Sequence, residues 1–259
     1  MAEMNLAGRT ALGTGASRGI GRGIALALAE AGADIAVNYT RDEGAAAATV
    51  AAIQALGRKA KAYQASVTDE DACAAMVAGI EADFGPLSIL INNAGIASRG
   101  RGVADTDAAE VEKLLAVHAV GPHRLSRLCL PQLRQHKRSD VIVISSIAAT
   151  QHAPFSAPYT MGKVAGEALA IALAKEELKN GVRVNIVAPA LTVSDMGERL
   201  SRAITGQDDI HHLAAKMPFG RVAEPSDVAA AALWFVSDAN PYCSGQRLAI
   251  DGAGMATFR

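Results

Sequence analysis

The feature that narrows the fold most is an alternation of short apolar runs with segments of helical spacing. The runs are Thr10 to Thr14, Asp34 to Tyr39, Ala60 to Ala65, Leu87 to Asn92, Val141 to Ser145, Val182 to Ala188 and Arg247 to Ile250. They lack the polar alternation of a half-exposed strand, so they predict strands covered on both faces, the condition of a parallel sheet flanked by helices. The intervening segments are Ile20 to Ala31, Ala45 to Leu56, Asp69 to Phe84, Asp107 to Leu115, His123 to Gln135, Pro158 to Lys179 and Ser226 to Val236. Several carry helix ends, such as Gly32, Gly57 and the pair Gly85-Pro86 as stops. No Ser- or Pro-rich linker and no short repeat divides them, so residues 1–259 predict one α/β domain, a doubly wound parallel sheet of about seven strands. Residues 191–218 break the pattern with Gly197, Gly206, Pro218 and mixed charge, and are predicted to form a substrate lid after a strand's carboxyl end.

Composition says how such a sheet is closed. Hydrophobic residues make up 50% of the chain but aromatic ones only 4%, so the core must be filled by aliphatic and methyl groups at short range. Twenty-five Lys and Arg against 26 Asp and Glu leave a net charge of −1, which offers no field to attract nucleic acid or an anionic membrane. Cys73, Cys129 and Cys243 are odd in number and widely spaced, which indicates neither a disulfide framework nor a metal site. Met1 to Gly8 has no apolar run of a secretory signal, and the uncharged stretch from Val141 to Gly162 is interrupted by Ser145, Ser146, Gln151, Pro154 and Pro158. The expectation is a cytoplasmic protein without a membrane span.

Between the first strand and first helix stands Thr14-Gly15-Ala16-Ser17-Arg18-Gly19-Ile20-Gly21. In that place Gly15 permits a tight turn, Gly19 lets backbone approach a pyrophosphate, and Gly21 lets the helix lie close to the sheet. The turn therefore predicts a Rossmann-type dinucleotide site, with Ser17 and Ile20 in its wall. The second strand ends in Asn38-Tyr39-Thr40-Arg41, without the acidic residue that would hold the ribose hydroxyls of NAD. Tyr39, Thr40 and Arg41 line that end, and the guanidinium groups of Arg18 and Arg41 match a 2′-phosphate. NADP(H) is expected in preference to NAD(H).

Tyr159 and Lys163 stand four apart at the start of a long helix and so share one face. Thirteen residues before Tyr159, Ser146 follows a strand and places a hydroxyl at the carboxyl edge of the sheet, where ligands of open α/β sheets bind. Asn92-Asn93-Ala94-Gly95 follows the fourth strand and Pro189-Ala190 the sixth.

With these motifs the sequence resembles the short-chain dehydrogenase/reductase family over essentially its whole length, and most closely the 3-oxoacyl-acyl-carrier-protein reductase type. Pro218-Phe219-Gly220-Arg221, Glu224-Pro225-Ser226-Asp227-Val228, Ser244-Gly245-Gln246 and Ile250-Asp251-Gly252 follow the same pattern. The resemblance implies hydride transfer between NADP(H) and a carbonyl or secondary alcohol. Ser146 would polarise the carbonyl, Tyr159 would act as acid/base, and Lys163 would hold the nicotinamide ribose and lower the Tyr159 pKa. Asn93, Ala94 and Gly95 would line the adenosine ribose, Ser66 and Val67 the adenine, and Pro189, Thr192 and Ser194 the carboxamide. It also implies a homotetramer burying the long helix, with its small face at Ala165, Ala168 and Ala172, and a small-molecule or acyl-carrier-bound substrate.

The sequence departs from the family at His118, where an asparagine is usual, and at Gly13 and Ala190. An imidazole can donate and accept in a proton relay, which predicts activity falling below about pH 6.5 if His118 must be neutral. An enoyl reductase would place its tyrosine seven residues before the lysine, where this chain has Ser156. Alternative readings are a catalytically weak dinucleotide-binding scaffold or sensor, and an NAD-dependent sugar or alcohol dehydrogenase. Arg124, Arg127, Arg134, His136, Lys137 and Arg138 offer a basic surface for an acidic carrier, and Arg99, Arg101, His211 and His212 offer groups for an anionic substrate.

Overall fold

The computed structural model of the chain describes residues 4–253. Seven strands form one parallel sheet in the order β3-β2-β1-β4-β5-β6-β7: β1 Thr10–Gly13, β2 Asp34–Tyr39, β3 Ala60–Gln64, β4 Ile89–Asn92, β5 Ser139–Ile144, β6 Val182–Pro189 and β7 Arg247–Ile250. The order reverses between β1 and β4, and the loops leaving those two strands open the crevice in which ligands of such sheets bind. The predicted alternation is the observed one.

Strand pleating sends alternate side chains to two apolar layers. Ala11, Ile35, Ile89, Ile91, Ile142 and Val187 meet α1 (Gly19–Glu30), α2 (Glu43–Ala55) and α9 (Pro225–Val236). Leu12, Ala36, Leu90, Val141, Val143 and Ile186 meet α3 (Glu70–Phe84), α5 (Gly121–Leu133) and α7 (Ala157–Glu176). Small side chains let these layers close: a Cβ on Gly23 would come within 2.8 Å of Pro225, so α1 and α9 touch almost backbone to backbone. At the amino edge of the sheet Asp140, with a side chain 1% exposed, lies between Arg9 at 2.8 Å and Arg183 at 2.6 Å, tying β5 to β1 and β6.

Two segments differ from expectation. The helices predicted either side of Gly121-Pro122 are one run, because α4 (Ala108–Leu115) passes through a π-helical turn, Ala116–Val120, directly into α5. The Gly121 N–H still donates to the Ala116 carbonyl across the π-helical turn, so the run continues past Pro122. Residues 191–218 are largely helical instead of irregular: α8 spans Asp195–Thr205 and a 3-10 helix spans Ile210–Lys216. Ser194 caps α8 through the Gly197 N–H, Gly206 ends it in the left-handed region, and Ile210, Leu213 and Val222 give the segment a small core of its own. A four-residue helix, α6 (Ala148–Gln151), follows β5. No helix among the described residues is long and apolar enough to cross a membrane.

Candidate active site

The glycine turn is closed by residues from β2 and β4. Gly15 and Gly19 adopt φ of +58° and +52°, and a Cβ on Gly21 would approach the Asn93 amide nitrogen to 2.5 Å. Asn93 Nδ2 donates to the Thr14 carbonyl at 2.9 Å and the Gly15 carbonyl at 3.2 Å, while the N–H groups of Asn93 and Ala94 donate to Thr14 Oγ1. The Asn93 side chain is thereby spent as a brace, and its predicted place at a ribose falls to the backbone of Asn93 to Gly95. Asn38, which sequence reasoning did not single out, accepts from the Gly15 N–H at 3.2 Å and donates to the Ala65 carbonyl at 3.0 Å. No side chain caps the start of α1, and its first turn carries no acid, so its N–H groups and positive dipole end suit a pyrophosphate.

At the carboxyl end of β5 three predicted residues converge. Tyr159, half-buried, and Lys163, 7% exposed, stand one turn apart on α7, with Lys163 Nζ 5.6 Å from the centre of the Tyr159 ring. Lys163 Nζ donates to the Ile144 carbonyl at 2.8 Å, using one of its three N–H donors. Burial pushes the Lys163 pKa down to about 8, opposed by the charge of Glu167 one turn further along. Burial pushes the Tyr159 phenol up, opposed by the neighbouring Ser146 hydroxyl. The expected lowering of the Tyr159 pKa by Lys163 is thus not found: desolvation prevails and the opposing group is Ser146.

His118 occupies the π-helical turn, 4% exposed, among Gly95, Gly162 and Gly166; a Cβ on any of the three would come within 3.0 Å of it. Its Nε2 faces the Ile96 backbone, 2.8 Å from the carbonyl oxygen and 3.3 Å from the N–H nitrogen. Burial first, then the charge of Lys163, lowers its pKa to about 3 against the hydrogen bond to that backbone. The expected loss of activity below pH 6.5 through His118 is therefore corrected: with its pKa lowered to about 3, the ring does not charge near pH 6.5.

A family model described as Enoyl-(Acyl carrier protein) reductase matches residues 13–255. The chain belongs to the short-chain dehydrogenase/reductase family. It is 34% identical over 244 residues to the 3-oxoacyl-acyl-carrier-protein reductase FabG of Staphylococcus aureus, covering 94% of this chain and 97% of the relative. It is 32% identical to an L-rhamnose 1-dehydrogenase (NAD(P)(+)) of a Sphingomonas species, covering 95% of this chain and 96% of that one. Among solved structures, a short chain dehydrogenase of Burkholderia cenocepacia in complex with NADP is 32% identical with a TM-score of 0.87, covering 97% and 99% of the two chains. A dehydrogenase/reductase of Sinorhizobium meliloti is 31% identical with a TM-score of 0.88, covering 96% of each.

Other predicted positions in this short-chain dehydrogenase/reductase are placed less simply. Ser17 is 7% exposed, with its carbonyl accepting from Thr49, and Ile20 is half-buried beside it. Tyr39 is 8% exposed and packs in the apolar layer at the end of β2. Thr40 and Arg41 are exposed at the end of β2, and no carboxylate pairs with Arg41 among the described residues. Arg18 is paired already, with Asp195 at 2.9 Å and Asp42 at 3.4 Å. The Ser66 hydroxyl is engaged by Thr68 at 2.8 Å, and Val67 packs against Gly121. Pro189 presents its carbonyl to the Ile147 N–H at 3.1 Å, while the hydroxyls of Thr192 and Ser194 donate to the carbonyls of Ala190 and Thr192.

The basic surface is largely neutralised. Arg124 and Arg127 reach Glu70, Arg134 grips Glu177 through two nitrogens at 2.9 and 2.5 Å, and Arg138 pairs with Asp238 at 2.6 Å. Arg99 lies 3.8 Å from Asp107, Arg101 and His211 are exposed, and His212 is held by the Asp209 carbonyl. Sequence reasoning missed Glu167, although its spacing from Lys163 repeats that from Tyr159 to Lys163.

Proposed function

We propose that this protein reduces a ketone, a 3-oxoacyl compound being the first candidate, with NADP(H) as the redox partner. The observation that carries the reading is the convergence of Ser146, Tyr159 and Lys163 at the carboxyl end of β5, in a sheet whose first helix, α1, starts without a side-chain cap. The glycine turn and the backbone of Asn93 to Gly95 would hold the dinucleotide, which when bound supplies the hydride to the carbonyl carbon. Ser146 donates to the carbonyl oxygen and draws electron density from the carbon. Tyr159 passes its phenolic proton to that oxygen as the alcohol forms, a role suited to a phenol that burial keeps protonated. Lys163 offers its remaining N–H donors to ribose hydroxyls and places a positive charge beside the phenolate that Tyr159 leaves behind.

NADP(H) preference is supported by Arg41, exposed and without a carboxylate partner, and by the NADP complex of the Burkholderia relative. Residues 191–218, held over the glycine turn by the Arg18–Asp195 pair, would act as the lid within a single catalytic domain. A homotetramer is supported by the exposed Met161, Val164 and Ile171 on α7. A second reading, an NAD-dependent sugar dehydrogenase, is favoured as to cofactor by the Asp42 carboxylate close to Arg18 and as to substrate by the rhamnose relative.

Assays of NADPH oxidation with 3-oxoacyl thioesters and simple ketones, and of NAD+ and NADP+ reduction with sugars and alcohols, separate these readings. Tyr159→Phe should cost at least ~100-fold in turnover while NADPH still binds. Tight NADPH binding without turnover of any carbonyl or alcohol would leave the scaffold reading.

A further inference from the structure

Three consecutive residues carry the chain from β5 into the site, and each is held by a different side chain. The Ile144 carbonyl accepts from Lys163 at 2.8 Å, Ser145 Oγ donates to Glu167 Oε1 at 2.5 Å, and the Ser146 carbonyl accepts from Arg247 Nη2 at 3.2 Å. Arg247 closes the set, since its Nε donates to the same Glu167 oxygen at 2.9 Å and its Nη2 reaches Thr150 Oγ1 at 3.5 Å. Tyr159, Lys163 and Glu167 follow one another at single-turn spacing, so one stripe of α7 grips the strand end that bears the serine.

This grip falls where the sheet ladder stops. Ser145 still donates its N–H to Val187 at 2.8 Å, but the Ser146 carbonyl has left the ladder and accepts from the Ala149 N–H at 3.1 Å as well as from Arg247. The peptide after Ser146 is therefore held on its N–H side by β6, through the Ile147 N–H and the Pro189 carbonyl at 3.1 Å, and on its carbonyl side by a short turn and one guanidinium. The side chains of Arg247 and Glu167 are 23% and 14% exposed, shielded enough for their pairing to hold against water.

We propose that Glu167 and Arg247 are positioning residues for Ser146. The carboxylate fixes the Ser145 hydroxyl and orients the guanidinium, and the guanidinium fixes the Ser146 carbonyl, so that the Ser146 hydroxyl is held toward the substrate. Misplacement of a reacting group by about 1 Å costs on the order of 100-fold in rate, which gives such a grip kinetic weight. The inference rests on the proposed carbonyl reduction only for its kinetic part, because the ordering of the Ser146 turn is measurable in the free protein.

The test uses the full chain with Arg247→Met, Arg247→Lys and Glu167→Gln. Amide hydrogen exchange across 145–151 should speed by about tenfold or more in Arg247→Met, with the β1 and β4 segments unchanged. With a ketone that the wild type reduces, kcat should fall about 10- to 100-fold while the NADPH dissociation constant moves less than about threefold. In a Ser146→Ala background the same Arg247→Met change should cost less than about threefold, since the group it positions is gone. Unchanged exchange across 145–151, or a full penalty in the Ser146→Ala background, overturns the proposal. Should Arg247→Met fail to fold, Arg247→Lys supplies both comparisons and Glu167→Gln the exchange comparison. If no ketone is reduced, the proposed function falls and the exchange measurement decides the positioning role alone.

Discussion

The rings of His118 and Tyr159 meet edge to face, with centroids 5.3 Å apart and planes at 83°. The contact puts an uncharged, buried imidazole against the proposed acid. His118, with its pKa near 3, takes up no proton over the working range, so catalytic turnover should show no titration near pH 6.5 that His118→Asn removes. Stability behaves differently. Between pH 6.5 and 3 the unfolded chain protonates this residue and the folded chain does not, so stability falls with falling pH, by about 2 kcal/mol at pH 5. Urea unfolding of wild type and His118→Asn from pH 7 to 5 measures the difference.

Lys163 sets the alkaline side. Its pKa near 8 means that the charge offered to a ribose is lost as pH rises through that value. NADPH affinity should weaken above pH 8, and Glu167→Gln, which removes the negative charge that opposes desolvation, should move the loss to lower pH. Folding stability has the opposite sign there. From pH 8 to the ordinary lysine range the unfolded chain keeps a proton that the folded chain has shed, so burying Lys163 costs less as pH rises. Fluorescence titration of NADPH at several pH values tests the binding shift.

Arg41 and Arg18 should contribute unequally to cofactor choice. Arg18 is paired with Asp195 and Asp42, whereas Arg41 has no ion-pair partner among the described residues. Arg41→Ala should weaken NADPH by roughly 10- to 100-fold and leave NADH nearly unchanged, as expected for one charge-assisted contact. Arg18→Ala should cost less in NADPH affinity and also loosen α8. Dissociation constants for both nucleotides, with each variant, give the comparison.

Close approach of α7 to the π-helical turn depends on Gly166. A Cβ there would lie 2.7 Å from the His118 carbonyl, so Gly166→Ala must push backbone against backbone and should destabilise by about 1–3 kcal/mol while reducing activity. Gly44, exposed in α2 with no neighbour closer than 3.7 Å, should behave oppositely, Gly44→Ala gaining about 0.5–1 kcal/mol. Thermal unfolding of the two variants shows whether the sign reverses.

The seven strands, the glycine turn and the pairing of Tyr159 with Lys163 were legible because each is written within a short stretch of chain. Pleat period, helical period and the conformational freedom of glycine are local properties. The continuous α4–α5 run was not legible, because Gly121-Pro122 imitates a break that the π-helical turn absorbs. Helix α8 was hidden for a related reason, since its order comes from a serine cap and a small apolar cluster reaching to Val222.

Charge and protonation belong to tertiary structure. The sequence by itself determined which side chains reach the carboxyl edge of a doubly wound sheet, and in what spacing. Only the folded chain decided that Arg18, Arg134 and Arg138 are already paired, that His118 is neutral, and that Arg247 reaches the Ser146 carbonyl from 101 residues away. The reason is physical: desolvation and Coulomb interaction depend on distance and burial in space, and partners far apart in sequence leave no period or spacing to read.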